Sequence, residues 1–213
     1  HPAGHIVGSA QVRLEYKGEI WVASGDYKLQ LDHVSTPFEP IRCHHFVTES
    51  TFGLPVYRFP DAAETHADIN SWWSKNKEEG KTSIIIGYAL GKAQRIIKHL
   101  DTNIGDIYTH GAVDNLNKIL IEDGLDLPPT TRVEGEKNKA LFKGNIVVAP
   151  PSALGTPWLK RFDSYSVGIC SGWMQLRGTR RRKSADRGFV LSDHADWDGL
   201  NTAIKETGAE NVY

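Results

Sequence analysis

Runs of β-branched, apolar residues in the middle of the chain constrain the fold most strongly. Residues 82–86 and 145–149 are such runs, and helical patterns at residues 91–100 and 113–123 lie between them. Strands that show no polar alternation are buried on both faces, which is typical of parallel sheets covered by helices. The middle of the chain is therefore predicted to be an α/β block with a parallel sheet.

The two ends of the chain have a different pattern from the middle. Residues 10–16 alternate between apolar and polar, a Lys-Gly-Glu turn follows, and residues 20–23 form a second predicted strand. Residues 196–207 read as a helix. An α/β block inserted into another domain explains the change of pattern. We predict a first domain at residues 1–55, an inserted domain at 56–175 and a return to the first domain at 176–213.

Composition excludes several classes of protein. The chain has 213 residues, 39% of them hydrophobic, and its only cysteines are Cys43 and Cys170. It is therefore neither disordered nor held together by disulfides, and no apolar run approaches the roughly 18 residues of a membrane helix. We expect a soluble, cytoplasmic protein.

Because the chain begins at His1 rather than Met, and residues 210–213 read as the opening of a strand, we also expect both ends to be cut from a longer chain.

Positive charge is concentrated in one segment. Residues 177–187 carry six basic residues against one acidic residue, a local charge of +5 on a chain whose total is −1. A basic stretch of this kind is typical of a phosphate-binding surface, although a solvated loop fits the pattern equally well. Trp173 lies just before this segment. It could stack on a nucleobase, but we expect it to be a residue of the hydrophobic core. The candidate nucleic-acid-binding residues are Arg177, Arg180, Arg181, Arg182 and Lys183.

Three polar residues lie at or just beyond predicted strand ends, next to glycine or other small residues. They are His5, Asp26 and His194. Strand ends in layered α/β proteins are common positions for active sites, and imidazole together with carboxylate suits Zn²⁺ or Mn²⁺. The spacing of these residues does not by itself establish a metal site. Residues 87–92 offer a separate hypothesis, since the start of the following helix could bind phosphate through backbone N–H groups.

Five segments occur in order along the chain. They are Ala-Gly-His-Ile-Val-Gly-Ser-Ala at residues 3–10, Ser-Gly-Asp-Tyr at 24–27, Thr-Glu-Ser-Thr-Phe-Gly at 48–53, Tyr-Ala-Leu-Gly-Lys-Ala-Gln at 88–94 and Ser-Asp-His-Ala-Asp at 192–196. Together they resemble the metallo-β-lactamase-fold nucleases that carry a β-CASP insertion. Residues 150–159, 171–178 and 187–197 are most similar to the bacterial ligase-associated DNA exonucleases of that family.

The resemblance implies a fold and a set of site residues. The fold would be a partial metallo-β-lactamase αββα sandwich with an inserted α/β β-CASP domain, whose parallel sheet is flanked by helices. His5 would be a ligand of one metal and Asp26 would bridge two metals, with Zn²⁺ favoured and Mn²⁺ as the alternative. Glu49 would hold His194, and His194 would donate a proton to the leaving oxygen.

The implied function is metal-dependent hydrolysis of phosphodiester bonds in nucleic acid. DNA is favoured over RNA, and the expected enzyme is a DNA exonuclease that acts with an ATP-dependent DNA ligase in repair. The alternatives are an RNA-processing nuclease of the same family, a non-catalytic nucleic-acid-binding module, and a metallohydrolase of small phosphoesters or thioesters. The family's His-x-His-x-Asp-His motif would lie before His1 and its last ligand histidine after Tyr213. Residues 1–213 alone are therefore expected to be inactive.

Overall fold

The structure is a computed structural model that describes residues 1–134, 139–176 and 185–213. The chain divides into two compact units. Unit 1 comprises His1–Phe59 together with Ser192–Tyr213, and unit 2 is the continuous segment Pro60–Leu191. Unit 1 is therefore built from both ends of the chain.

Strands and helices follow one another along the described residues. The strands are β1 (Val12–Tyr16), β2 (Glu19–Ala23), β3 (His45–Val47), β4 (Thr82–Ile86), β5 (Ile107–Thr109), β6 (Thr131–Arg132), β7 (Ile146–Ala149), β8 (Tyr165–Cys170), β9 (Arg187–Phe189) and β10 (Asn211–Val212). The α-helices are α1 (Ala62–Glu78), α2 (Lys92–Lys98), α3 (Gly111–Glu122) and α4 (Trp197–Thr207). Among the described residues, no helix is long and apolar enough to cross a membrane.

Unit 1 contains a four-stranded sheet in the order β1-β2-β3-β10. β1 and β2 form an antiparallel hairpin, whereas β2, β3 and β10 run parallel to one another. His45 of β3 is paired with Trp21 on one side and with Asn211 on the other. Because β2 and β3 are parallel neighbours, the residues that follow them emerge at the same edge of the sheet.

The core of unit 1 joins its sheet to α4. Val22 and Phe46 are fully buried and belong to the same apolar cluster as Leu200 and Ala203 of the helix. The helix begins after Asp196, whose side chain accepts a hydrogen bond from the Gly199 N–H at 2.9 Å. This cap satisfies a backbone donor that the first turn leaves without an acceptor within the helix.

Unit 2 contains a six-stranded parallel sheet in the order β6-β5-β7-β4-β8-β9. Its central strand β4 is buried along its whole length, and the core also takes Trp73 from α1 and Ile97 from α2. The prediction of an α/β chain with a parallel sheet flanked by helices is confirmed. The more specific prediction, a partial αββα sandwich with a β-CASP insertion, stays a prediction.

The boundaries of the units differ from the predicted domain boundaries. Residues 176–191 were expected in the returning domain, but Arg187 of β9 is paired with Gly168 of β8, so the described part of this segment belongs to unit 2. At the other boundary, Tyr57 accepts a hydrogen bond from the Trp197 N–H, which ties residues 56–59 to unit 1. The identification of the two units with the two named domains stays a prediction.

Candidate metal centre

The polar residues predicted at strand ends come together in unit 1. His5, Asp26 and His194 each offer one ligand atom, and these atoms all lie within 4.8 Å of one another. Glu49 follows β3 and contacts His194. All four residues of the expected catalytic and metal site therefore lie in one place, although they come from four separate segments of the chain.

His5 is oriented by a backbone carbonyl group. Its Nδ1 lies 2.8 Å from the carbonyl oxygen of Asp193. A carbonyl oxygen only accepts hydrogen bonds, so Nδ1 is the donor, and in the neutral ring Nε2 keeps its lone pair. Nε2 lies 3.9 Å from Oδ2 of Asp26. Histidines that bind metals usually donate their second ring N–H in this way, because the bond fixes both the tautomer and the orientation of the ring.

The turn that presents His5 requires a glycine immediately before it. Gly4 has φ of +73°, a conformation that residues with a side chain rarely adopt. A Cβ at this position would overlap the carbonyl oxygen of Lys28 and would lie 2.9 Å from the backbone nitrogen of Phe38. The chain therefore passes so close to residues 28 and 38 that only glycine fits.

Asp26 is the most exposed residue of the cluster. Its side chain is 53% exposed and follows Gly25, which has φ of +58° and turns the chain after β2. Oδ2 faces His5 at 3.9 Å, while Oδ1 lies 4.0 Å from Nδ1 of His194. The two carboxylate oxygens thus face two different histidines, an arrangement that suits a bridging ligand.

Glu49 and His194 form a close pair. Nδ1 of His194 lies 3.0 Å from Oε2 and 3.1 Å from Oε1 of Glu49, and the side chain of Glu49 is only 5% exposed. The N–H of Tyr27 also donates to Oε1 of Glu49, at 2.8 Å. The carboxylate is therefore fixed by the strand end on one side and holds the imidazole on the other.

The environment favours the charged forms of both partners. Burial by itself would raise the pKa of Glu49, but hydrogen bonds from His194, the Tyr27 N–H and Thr51 outweigh it and lower this pKa below its usual value. Burial would lower the pKa of His194, but the hydrogen bond to Glu49 and the negative charges of Glu49, Asp26 and Asp193 raise it above its usual value. The metal-free pair therefore favours imidazolium next to carboxylate.

A buried ion pair that the sequence did not reveal supports the turn at His5. Lys28 and Asp32 contact each other, with side chains only 3% and 4% exposed. Asp32 also accepts hydrogen bonds from the backbone N–H groups of Val34 and Ser35, and the Ser35 hydroxyl donates to the carbonyl oxygen of Gly4 at 3.0 Å. The Asp-x-x-Ser spacing is typical of a turn that a side chain stabilises. This spacing is the feature of the sequence from which the turn could have been predicted.

The donor set fits a divalent metal ion. Two imidazoles and one carboxylate are ligands that Zn²⁺ and Mn²⁺ accept, and His5 already has the tautomer that leaves Nε2 available. His194 belongs both to this cluster and to the pair with Glu49. Because Nδ1 is engaged by the carboxylate, Nε2 is the atom of His194 that is left for a ligand or for proton transfer.

The predicted nucleic-acid-binding residues lie outside the residues that the structure describes. They are Arg177, Arg180, Arg181, Arg182 and Lys183. The neighbouring Arg187 is described, and its guanidinium binds both carboxylate oxygens of Asp68 at 2.7 Å. Trp173 is 43% exposed, so the expectation that it is a core residue is wrong.

The second phosphate-binding hypothesis, at the start of α2, is also wrong. The N–H of Gly91 donates to the side chain of Gln94 at 2.7 Å, and the N–H of Lys92 donates to the Leu90 carbonyl group. The next N–H, that of Ala93, donates to the carbonyl group of Tyr88. These donors already have acceptors within the chain, so they do not form a phosphate cradle.

Comparison with known proteins finds relatives that are named as nucleic-acid-processing proteins. No family model matches it. It is 29% identical over 214 residues to a probable DNA ligase of Opitutus terrae, an alignment that covers 100% of this chain and 21% of the relative. It is 29% identical over 245 residues to transcription termination factor FttA of Lokiarchaeum sp., which covers 96% of this chain and 38% of the relative. The endoribonuclease YSH1 of Candida glabrata is 26% identical over 148 residues, 54% of this chain and 18% of the relative.

These relatives confirm the resemblance to metallo-β-lactamase-fold nucleases with a β-CASP insertion. The chain spans between 18% and 38% of the length of the three relatives described. Among solved structures, a protein of unknown function from Enterococcus faecalis matches with a TM-score of 0.63 and 12% identity, over 100% of this chain and 56% of that one. At this identity the structural match shows a shared fold alone.

Proposed function

We propose that this chain is part of a metal-dependent nuclease that hydrolyses phosphodiester bonds, with unit 1 as part of a metallo-β-lactamase domain and unit 2 as its β-CASP insertion. The single observation that carries the proposal is the convergence of His5, Asp26 and His194 within 4.8 Å, next to the buried Glu49. Four segments far apart in the chain supply these groups. The needs of local secondary structure do not explain why these four side chains lie together.

His5 and Asp26 are the proposed metal ligands. His5 offers Nε2, because its Nδ1–H is engaged by the Asp193 carbonyl group, and Asp26 offers two exposed carboxylate oxygens. Two ions are proposed, with Zn²⁺ favoured over Mn²⁺. When bound, such ions lower the pKa of a water molecule and neutralise negative charge on the phosphate.

His194 is the proposed general acid. Glu49 accepts the Nδ1–H, fixes the ring and raises the pKa of the imidazole, which favours the protonated form, so that Nε2 can donate its proton to the leaving oxygen. Glu49 is held in turn by the Tyr27 N–H. It acts as a positioning residue, since it reaches the substrate only through His194.

DNA is the proposed substrate, degraded from an end by an enzyme that acts with a DNA ligase in repair. The relative named as a probable DNA ligase supports this choice because its similarity extends over the whole chain. The second candidate is RNA processing, which the endoribonuclease relative favours, although that alignment covers only 54% of the chain. Arg177, Arg180, Arg181, Arg182 and Lys183 are proposed to contact the phosphate backbone.

The test is to measure bound metal and nuclease turnover for the complete natural protein and its variants. We expect two divalent ions per molecule and metal-dependent degradation of DNA. His194→Ala is expected to lower turnover by about 10²–10⁴ while leaving the metal content close to that of the unaltered protein, because it removes proton donation. His5→Ala is expected to lower the metal content itself.

His45→Ala is the matched control, since it removes a partly exposed histidine of the same unit that stacks on Trp21 outside the cluster. It should leave metal content and turnover unchanged. A protein that binds no divalent metal, or that degrades neither DNA nor RNA, would refute the nuclease. Equal losses of metal and turnover in His194→Ala would make that residue a ligand instead.

A further inference from the structure

We propose that a groove on unit 2 binds a nucleobase of single-stranded nucleic acid, with Tyr88 as the stacking residue. This inference rests on the proposed function, because it takes nucleic acid as the partner, and it names a second site on a different unit. The site, called the β8 groove below, is a cavity of about 570 Å³ lined by Tyr88, Leu154, Leu159, Val167, Ile169 and Ser171 among others.

Topology places this groove where parallel sheets commonly bind ligands. In the order β6-β5-β7-β4-β8-β9, the chain leaves β4 towards β5 on one side and leaves β8 towards β9 on the opposite side. The carboxyl ends of the neighbouring strands β4 and β8 are therefore a topological switch point, where the diverging connections leave a crevice. Tyr88 lies two residues after β4, and Ser171 directly follows β8.

The chemistry of the lining fits a flat, uncharged ligand. Val167 and Ile169 point from one face of β8, while Leu154 and Leu159 come from the segment after β7. The lining residues within the described part of the chain include no charged side chain. A phosphate group would lose its hydration there without gaining a cation, whereas a base would bury its faces against apolar side chains.

Tyr88 has the exposure and the setting of a stacking residue. The residue is 65% exposed, although it lies beside an apolar groove that could have buried it. Nζ of Lys92 lies 5.2 Å from the centroid of the Tyr88 ring, so a cation occupies the region over the ring. A base on the open face would complete a cation–aromatic–base arrangement, which tolerates any sequence because every base has a π-face.

Charge at the rim selects nucleic acid over an apolar peptide. Lys160 is exposed and directly follows the lining residue Leu159 on one 3₁₀ helix, whereas Lys92, which lies against the Tyr88 ring, is only 4% exposed. An uncharged floor with the exposed cation of Lys160 beside it matches a base whose flanking phosphate stays outside. A peptide with an apolar side chain would gain nothing from this cation.

The experiment compares binding of two oligonucleotides of equal length, one with bases and one fully abasic, to the complete natural protein in EDTA. We expect Tyr88→Leu to weaken binding of the base-containing strand by about 5- to 160-fold, the range of a lost base–aromatic stack. Binding of the abasic strand and the salt dependence should stay the same, because the phosphate contacts are untouched. Tyr88→Phe should bind both strands as the unaltered protein does.

Tyr16→Leu is the matched control. Tyr16 is 74% exposed and has Nζ of Lys17 5.2 Å from its ring centroid, yet it lies on β1 of the other unit. It should bind both strands normally. A Tyr88→Leu protein that binds both strands normally, or binds both equally weakly, overturns the proposal. Since EDTA prevents metal-dependent cleavage, a positive result stands even if the protein degrades no nucleic acid.

Discussion

The pairing of His194 with Glu49 makes the stability of the metal-free protein depend on pH in a definite window. His194 has a raised pKa in the folded state, so its contribution is complete below the usual value of 6.5 and is lost as the pH rises through the raised pKa. Glu49 has a lowered pKa, so its contribution is complete above 4.5 and is lost as the pH falls through the lowered pKa. Both contributions are complete together between pH 4.5 and 6.5.

Replacing Glu49 with Gln should therefore destabilise the metal-free protein most between pH 4.5 and 6.5. The loss should shrink above this window, where His194 becomes neutral, and below it, where Glu49 of the unaltered protein becomes protonated. The measurement is the free energy of unfolding by denaturant across this pH range, with EDTA present. A loss that does not vary with pH would show that the pair is not charged in the folded state.

At the level of the elements, two glycines test how the turn before His5 is built. Gly4 and Gly8 have similar positive φ values, +73° and +80°. A Cβ on Gly8 meets nothing within 4 Å, whereas a Cβ on Gly4 overlaps backbone atoms of residues 28 and 38. A residue with a side chain would be strained at either position, but only at Gly4 would its Cβ also overlap neighbouring atoms.

Gly8→Ala should lower the free energy of unfolding by about 1–2 kcal/mol, the cost of a left-handed conformation. Gly4→Ala should cost more and should also weaken metal binding, because the chain has to move away from Lys28 and carry His5 with it. Chemical denaturation and zinc titration of the two variants give the comparison. Equal losses of stability, with unchanged metal affinity in both, would show that the close approach at Gly4 does not position His5.

Strands and helices with a strong local sequence pattern were predicted accurately, whereas those with a weak pattern were missed. The strand Thr82–Ile86 matches its predicted limits, since a run of β-branched and apolar residues marks a buried strand. Helix α4 was predicted to within one residue, with Gly208 in the left-handed conformation after its end. The two-residue strand Thr131–Arg132 was missed, because it is exposed and too short to show a period.

At the scale of the whole molecule, the continuous unit should fold by itself. Residues 60–191 contain their own sheet and a core that includes Ile85 and Ile146. We expect this segment, expressed alone, to unfold in one cooperative thermal transition. Residues 1–59 alone should show no such transition, because Leu200 and Ala203 of α4 and the strand β10 would be missing from their core and sheet. Circular dichroism of the two segments tests both statements, and a cooperative transition in residues 1–59 would contradict the division.

Local pattern was sufficient to predict the α/β class, most strands and helices, and His5, Asp26 and His194 as candidate site residues, whereas Glu49 was predicted only from the resemblance to a known family. Periodicity, glycines at strand ends and motif order are properties of neighbouring residues, so they can be read without a fold. They could not give the contacts: His5 reaches the carbonyl group of a residue 188 positions away, and Glu49 meets a histidine 145 positions away. These contacts form because β2 pairs in parallel with β3 and because the chain returns to unit 1 at Ser192. Both features depend on packing between segments that are remote in sequence. The supporting pair of Lys28 and Asp32 and the β8 groove depend on such packing for the same reason.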